Sequence, residues 1–121
     1  CSSVIQALLR SQKIKCSNGA LIRDYLHVSD VASAFAALLA SDIQGPINIG
    51  SGFGTKLRDI VGKIDGKIGN DGLLDIATKP SSLNEAPIII ADTTRLDNIG
   101  WKPTYDIESG LDNTIDWFRN K

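Results

Sequence analysis

The chain has 121 residues, 42% of them hydrophobic and 22% charged, which suits one ordinary globular domain with a modest core. A net charge of −1 and an isoelectric point near 5.7 exclude a general nucleic-acid binder, because no surplus of positive charge exists to displace counterions from phosphates. The apolar runs at 36–40 and 88–91 fall far short of the roughly 20 residues a membrane helix needs, and no basic run suits a membrane surface.

In chain order, Ser2 or Ser3 is placed to cap a first helix with Val4, Ile5, Leu8 and Leu9 on one face. Residues 13–16 alternate, 17–19 form a turn, and 20–27 read as a returning strand, so 13–27 is predicted as a β-hairpin. Ser29 or Asp30 then caps a second helix whose apolar face is Val31, Ala34, Phe35, Leu38 and Leu39. Gly45 and Pro46 end it, and 46–49 is predicted as a brief buried strand. After the glycine-rich 50–54 turn, Thr55 caps a helix with Leu57, Ile60, Val61, Ile64 and Ile68 inward. Gly62, Gly66 and Gly69 each weaken it by roughly 1 kcal/mol against alanine, so an early end near Ile64 or Gly66 is expected. Residues 73–78 read as a strand, 79–87 as a polar loop and 88–90 as extended. Asp92 starts a short helix through Leu96, and Gly100, Trp101 and Pro103 break the chain. Asp106 caps a terminal helix with Ile107, Leu111, Ile115 and Phe118 inward.

Few residues carry an obvious chemistry. The 50–54 turn has the strand-to-helix context of a phosphate cradle. It departs from the dinucleotide fingerprint, since Thr55 stands where the third glycine belongs and Asp75 lies within a strand rather than at its end. It is expected as a glycine-rich structural turn from strand to helix. His27 and Asp30 are assigned structural roles, at a strand end and a helix cap, rather than an acid/base pair. Arg23 sits on a strand among apolar residues, where it either pairs with Asp24 or another carboxylate or presents its fork to a phosphate. Trp101 and Trp117 read as core or rim aromatics. Cys1 and Cys16 form no framework and are expected as free, reduced thiols in a cytoplasmic protein, and one histidine with no CxxC excludes a zinc shell. The chain opens on Cys1 directly into a helical pattern, so it is expected to be a piece of a longer protein.

Four ordered segments together resemble the extended short-chain dehydrogenase/reductase family, the NAD-dependent nucleotide-sugar epimerases and dehydratases. Arg23-Asp24-Tyr25-Leu26-His27-Val28-Ser29-Asp30-Val31-Ala32 resembles its R-D-Y/F-x-H/Y-V-x-D-V/L-A segment. Ile47-Asn48-Ile49-Gly50-Ser51-Gly52 resembles its Y-N-I/L-G-S/T-G strand. Ala91-Asp92-Thr93-Thr94-Arg95-Leu96 with Ile99-Gly100-Trp101-Lys102-Pro103 resembles A-D-x-x-K-x-x-x-L-G-W-x-P, and Gly110-Leu111 with Thr114 and Trp117 the closing G-L-x-x-T-x-x-W helix.

The resemblance implies an α/β fold, a C-terminal fragment of a Rossmann-type protein in which residues 1–121 form the nucleotide-sugar side. The N-terminal NAD-binding part is then expected outside this chain, because neither the nucleotide fingerprint nor a Tyr-x-x-x-Lys occurs in it: Tyr25 is followed four residues on by Ser29, and Tyr105 by Ser109. Residues 48–50 are then a late strand of a sheet whose other strands are missing. Arg23 matches the family's diphosphate arginine. Glu85, seven residues before Asp92, falls where related epimerases place an acid on the nucleotide ribose. Ser82 stands where those epimerases have a second phosphate arginine, which leaves reductase, dehydratase and divergent epimerase open.

The expected function is therefore the substrate-binding part of a parent enzyme that uses NAD or NADP on a nucleoside-diphosphate sugar. No catalytic residue, no metal and no NAD binding are expected of the chain alone. A torn sheet edge is expected to drive self-association. The alternatives are a stand-alone interaction module, such as a truncated paralogue, and a small mononucleotide binder built on the 50–54 turn.

Overall fold

A computed structural model describes residues 1–16, 19–69, 72–76 and 85–121. The elements in order are α1 (Ser2–Leu9), β1 (Ile14–Cys16), β2 (Ile22–Asp24), α2 (Val28–Leu39), β3 (Gly54–Lys56), α3 (Leu57–Ile68), β4 (Leu74–Ile76), β5 (Ile88–Ile89), α4 (Thr94–Asn98) and α5 (Ile107–Arg119). The result is a mixed α/β fold of helices with short strands.

The core lies where three amphipathic helices meet. Val4, Ile5 and Leu8 of α1 pack with Ile60, Val61 and Ile64 of α3 and with Leu111 and Ile115 of α5. These are the stripes that a 3.6-residue period sets on one side of each helix. Helix α3 runs on to Ile68, past the expected early end, with Gly69 as its C-cap. A side chain at Gly62 or Gly66 would meet open space, so both glycines lie on the solvent side. Burying three aliphatic side chains at roughly 1.5–3 kcal/mol each outweighs the glycine penalties. On the outer face of the α3–α5 contact, Lys63 pairs with Glu108, and Lys67 reaches Glu108 at 2.9 Å and Asp112 at 2.7 Å.

The hairpin expected over 13–27 does not form. Strand β1 instead pairs in parallel with β4, matching Ile14 to Leu74 and Cys16 to Ile76. That register places all four side chains against the helical core, a burial that a hairpin with β2 would forgo. Strand β2 is the centre of a second, three-stranded sheet, antiparallel to β3 and parallel to β5. Both of its edges are thus taken.

Other local expectations also shift. The 46–49 segment is not a strand here, and strand β3 occupies the place where Thr55 was expected to cap a helix. Gly54 explains the second change: a Cβ there would lie 2.6 Å from both Ile22 and Ile90 side-chain carbons, so the strand packs where only glycine fits. Helix α3 starts from Lys56 without a side-chain cap, and α1 from Cys1 rather than from a serine cap. Helix α2 is capped by His27, whose Nδ1 accepts from the Ser29 amide at 3.1 Å, not by Ser29 or Asp30. Of its apolar stripe only Ala34 is fully buried, while Phe35 is 57% and Leu39 88% exposed. The strand read over 73–78 is present as β4, and its last two positions lie outside the described residues, as do Ser17, Asn18 and 79–84 of the polar loop. The short helix comes later than expected, at Thr94–Asn98, with Asp92 accepting from the Thr94 amide and hydroxyl just before it. Asp106 caps α5 as expected, in a reciprocal capping box with Ser109. Among the described residues no helix is long and apolar enough to cross a membrane.

Candidate functional site

The glycine turn is filled from within. Its Ser51 and Gly52 amides point at a carboxylate, as the anion-binding geometry of such turns leads one to expect. The anion is Asp24, at the end of β2. Its Oδ1 accepts from the Ser51 amide at 2.8 Å and the Ser51 hydroxyl at 2.6 Å. Its Oδ2 accepts from the Gly52 amide at 2.9 Å and the Ala91 amide at 3.3 Å. Burial pushes the Asp24 carboxyl up, but these bonds from Ser51, Gly52 and Ala91 outweigh it and hold it below the ordinary carboxylate value. Gly50 is required by the same packing, since a Cβ there would lie 2.6 Å from the Ala91 Cβ and 2.7 Å from Asp24 Oδ2. Gly52 turns the chain at φ +81.

Arg23 is the neighbour of that hub and is not bonded to it. It lies at mid-sheet, level with Thr55 of β3 and Ile89 of β5. Its Nη1 donates to the Ile22 carbonyl at 2.9 Å, and among the described residues it enters no ion pair. Of the two roles open to it in the sequence, pairing with Asp24 is therefore excluded. Its charge is felt at Tyr25, whose hydroxyl is pushed up by burial while Arg23 pulls it the other way. A cleft of about 510 Å³ opens beside Arg23, walled by Asp24, Asn48, Gly50, Ile89 and Asp92 among others. Its volume falls within the roughly 300–1,000 Å³ usual for a small-molecule site. Asn48 Nδ2 donates across it to the Asp92 carbonyl at 3.3 Å.

Glu85 is exposed and lines neither this cleft nor the larger groove. It precedes by four residues Ile89, the strand partner of Arg23, which sets it up to about 13 Å back along the strand direction. Ser82 lies outside the described residues.

The larger groove, about 1430 Å³, runs past Tyr25, His27, Phe53, Arg58 and Tyr105. Several of its polar groups already serve the fold. His27 caps α2, contacts Asn113 Oδ1 through Nε2 at 3.1 Å and stacks on Tyr105 with ring centroids 4.1 Å apart. Asp30 does not pair with His27. It is buried and accepts the Thr104 and Tyr105 amides, both at 2.9 Å. Trp101 Nε1 donates to the Ser33 hydroxyl, and Trp117 packs edge-on against Phe118 under Lys121. Cys1 and Cys16 are free. Among the described residues no cluster of His, Cys, Asp and Glu could hold a metal ion.

The roles of Asp24 and Asp30 were missed in the sequence. Both stand in the Arg23–Ala32 motif: Asp24 accepts amides from two of the other motif segments, 47–52 and 91–96, and Asp30 from the stretch just after Pro103. Their recurrence in one short motif was the available signal.

Comparison with known proteins places these features in a wider set. The model of the NAD dependent epimerase/dehydratase family matches residues 1–50. The chain is 26% identical to CDP-abequose synthase of Salmonella typhimurium, over 93% of the chain and 40% of that protein. It is 30% identical to GDP-L-fucose synthase 1 of Arabidopsis thaliana, over 97% of the chain and 39% of that protein. The crystal structure of UDP-glucose 4-epimerase with UDP-glucose from Thermotoga maritima superposes with a TM-score of 0.87 at 26% identity, covering 98% of the chain and 38% of that structure. The chain thus spans about two fifths of the length of these relatives.

Proposed function

Because this chain belongs to the NAD-dependent epimerase/dehydratase family, we propose that it is the C-terminal, substrate-side part of an NAD(P)-dependent nucleoside-diphosphate-sugar epimerase, dehydratase or reductase. Arg23 would hold the diphosphate. The observation that carries this reading is an arginine at mid-sheet, half-buried, bonded among the described residues only to a neighbouring carbonyl and opening on a cleft. A guanidinium so placed keeps most of its donors for a bidentate anion, and the diphosphate is the anion that the nucleotide-sugar relatives share. Glu85 is proposed for the nucleotide ribose, on its spacing from Asp92 alone.

The chemistry would come from residues outside this chain, since it holds no Tyr-x-x-x-Lys. The chain's residues do not fit the pyrophosphate of NAD either. The amides of its glycine-rich 50–54 turn are bonded to Asp24, which also argues against a mononucleotide binder built there. The interaction-module alternative draws on the exposed Val28, Phe35 and Leu39 of α2 and on Ile88, Ile89 and Ile90. An apolar surface of that kind favours association, with a second copy when the chain is alone. The free thiols accord with a reducing, cytoplasmic setting.

The test is Arg23→Ala in the parent protein, with nucleotide-sugar and NAD affinities measured side by side. Loss of a charge-assisted bidentate contact should weaken the nucleotide sugar roughly ten- to hundredfold and spare NAD. Equal loss of both would assign Arg23 a structural role.

A further inference from the structure

We infer that Asp24 is a positioning residue for the Arg23 cleft, holding its walls together from the end of β2. The inference rests on the reading of Arg23 given above. The cleft is lined by three stretches: the end of β2, residues 48–50, and residues 89–92. Asp24 belongs to the first and, through Ser51, Gly52 and Ala91, is bonded next to or within the other two. Among the described residues one further side-chain bond crosses the cleft, from Asn48 to the Asp92 carbonyl at 3.3 Å. Among the described residues Arg23 has no distant hydrogen-bond or ion-pair partner to aim it, so its direction follows the backbone of β2. At its carboxyl end that backbone is held by the pairing of Asp24 with Gly54 of β3 and by the bonds of the Asp24 carboxylate.

The role requires a carboxylate rather than any polar group of the same shape. Each oxygen of Asp24 accepts two bonds, so an asparagine amide would turn a donor toward two donors on one side. Emptying the site, by contrast, leaves three amides and a hydroxyl converging on a hole the size of a small carboxylate. Added formate can occupy that hole.

The experiment uses the full-length protein and a panel of CDP, GDP, UDP and dTDP, following whichever the unsubstituted protein binds most tightly, with NAD affinity and melting temperature read in parallel. Asp24→Ala should weaken the nucleoside diphosphate at least tenfold with NAD unchanged, and formate at about 100 mM should restore most of the affinity, since the retained amides supply its binding site. Asp24→Asn should weaken it similarly and not respond to formate. If Arg23→Ala has no effect, the reading of Arg23 fails. If Arg23→Ala weakens binding while Asp24→Asn binds as the unsubstituted protein does, the positioning role is overturned and the reading of Arg23 stands. Equal losses of nucleoside diphosphate and NAD, unrelieved by formate, would also overturn it. Should Asp24→Ala fail to fold, Asp24→Asn alone decides on the same readings.

Discussion

Replacing Asp30 by asparagine isolates one of the two carboxylates that tie the motif segments together. Asp30 is 2% exposed, and its two oxygens accept one backbone amide each, from Thr104 and Tyr105 at 2.9 Å. Asparagine keeps the shape but offers one acceptor, and its NH₂ must face the second amide. The cost is one charge-assisted bond lost and one buried donor left unsatisfied, about 2 kcal/mol. For a chain of this size that corresponds to a fall of about 8 °C in melting temperature. Asp30→Ala removes both acceptors and should cost about 4 kcal/mol, a large share of the roughly 5–15 kcal/mol that holds a domain folded. Urea unfolding followed by circular dichroism measures both. The loss should be local before it is global, with amide exchange rising first at the start of α2 and at 104–106, because Tyr105 stacks on the His27 that caps α2. An Asp30→Asn protein within about 0.5 kcal/mol of the original would refute the reasoning, since that is the range of an ordinary surface change.

Stability should also fall in acid. Asp24, Asp92, Asp106 and Glu108 are all held below the ordinary carboxyl value, the last three by bonds from Thr94, Ser109 and the Lys63–Lys67 pair respectively. A carboxyl lowered in the folded state contributes stability above its unfolded value and loses it as pH falls through the folded one. The urea midpoint should therefore vary little from pH 7 to 5 and decline below about pH 4, and Asp24→Asn should flatten that decline; an unchanged acid limb would remove Asp24 from the account. In the core, Ile64→Ala should cost about 2–5 kcal/mol, whereas Phe35→Ala should stay within about 0.5. Light scattering of the chain alone should show association that Phe35→Asp with Leu39→Asp reduces, and a clean monomer of the unsubstituted chain would count against the apolar face as its cause.

What could be read from the residues follows physical range. Helices α1, α3 and α5 are legible because each stripe is buried by the others, and the Asp106 cap because its partner Ser109 is three residues away. The strand pairings are not, since β1 with β4 and β2 with β5 join residues some sixty positions apart and are chosen by which side chains reach the core. Helix α2 shows the limit of periodicity: Phe35 and Leu39 mark an apolar face, but the pattern does not say whether its cover lies in this chain. The candidate site divides the same way. Arg23 stands out by its residue type among apolar neighbours. Asp24 looks like its ion-pair partner until the fold turns that carboxylate onto amides at 51, 52 and 91. Glu85 rests on spacing, and the structure does not bring it to the Arg23 cleft.

The most direct measurement is a crystal structure of the full-length protein with its nucleoside diphosphate bound. The phosphate oxygens are expected within hydrogen-bond distance of the Arg23 guanidinium, with Asp24 still on the Ser51 and Gly52 amides. A diphosphate seated on the 50–54 turn with Asp24 displaced, or one that Arg23 does not touch, would contradict it.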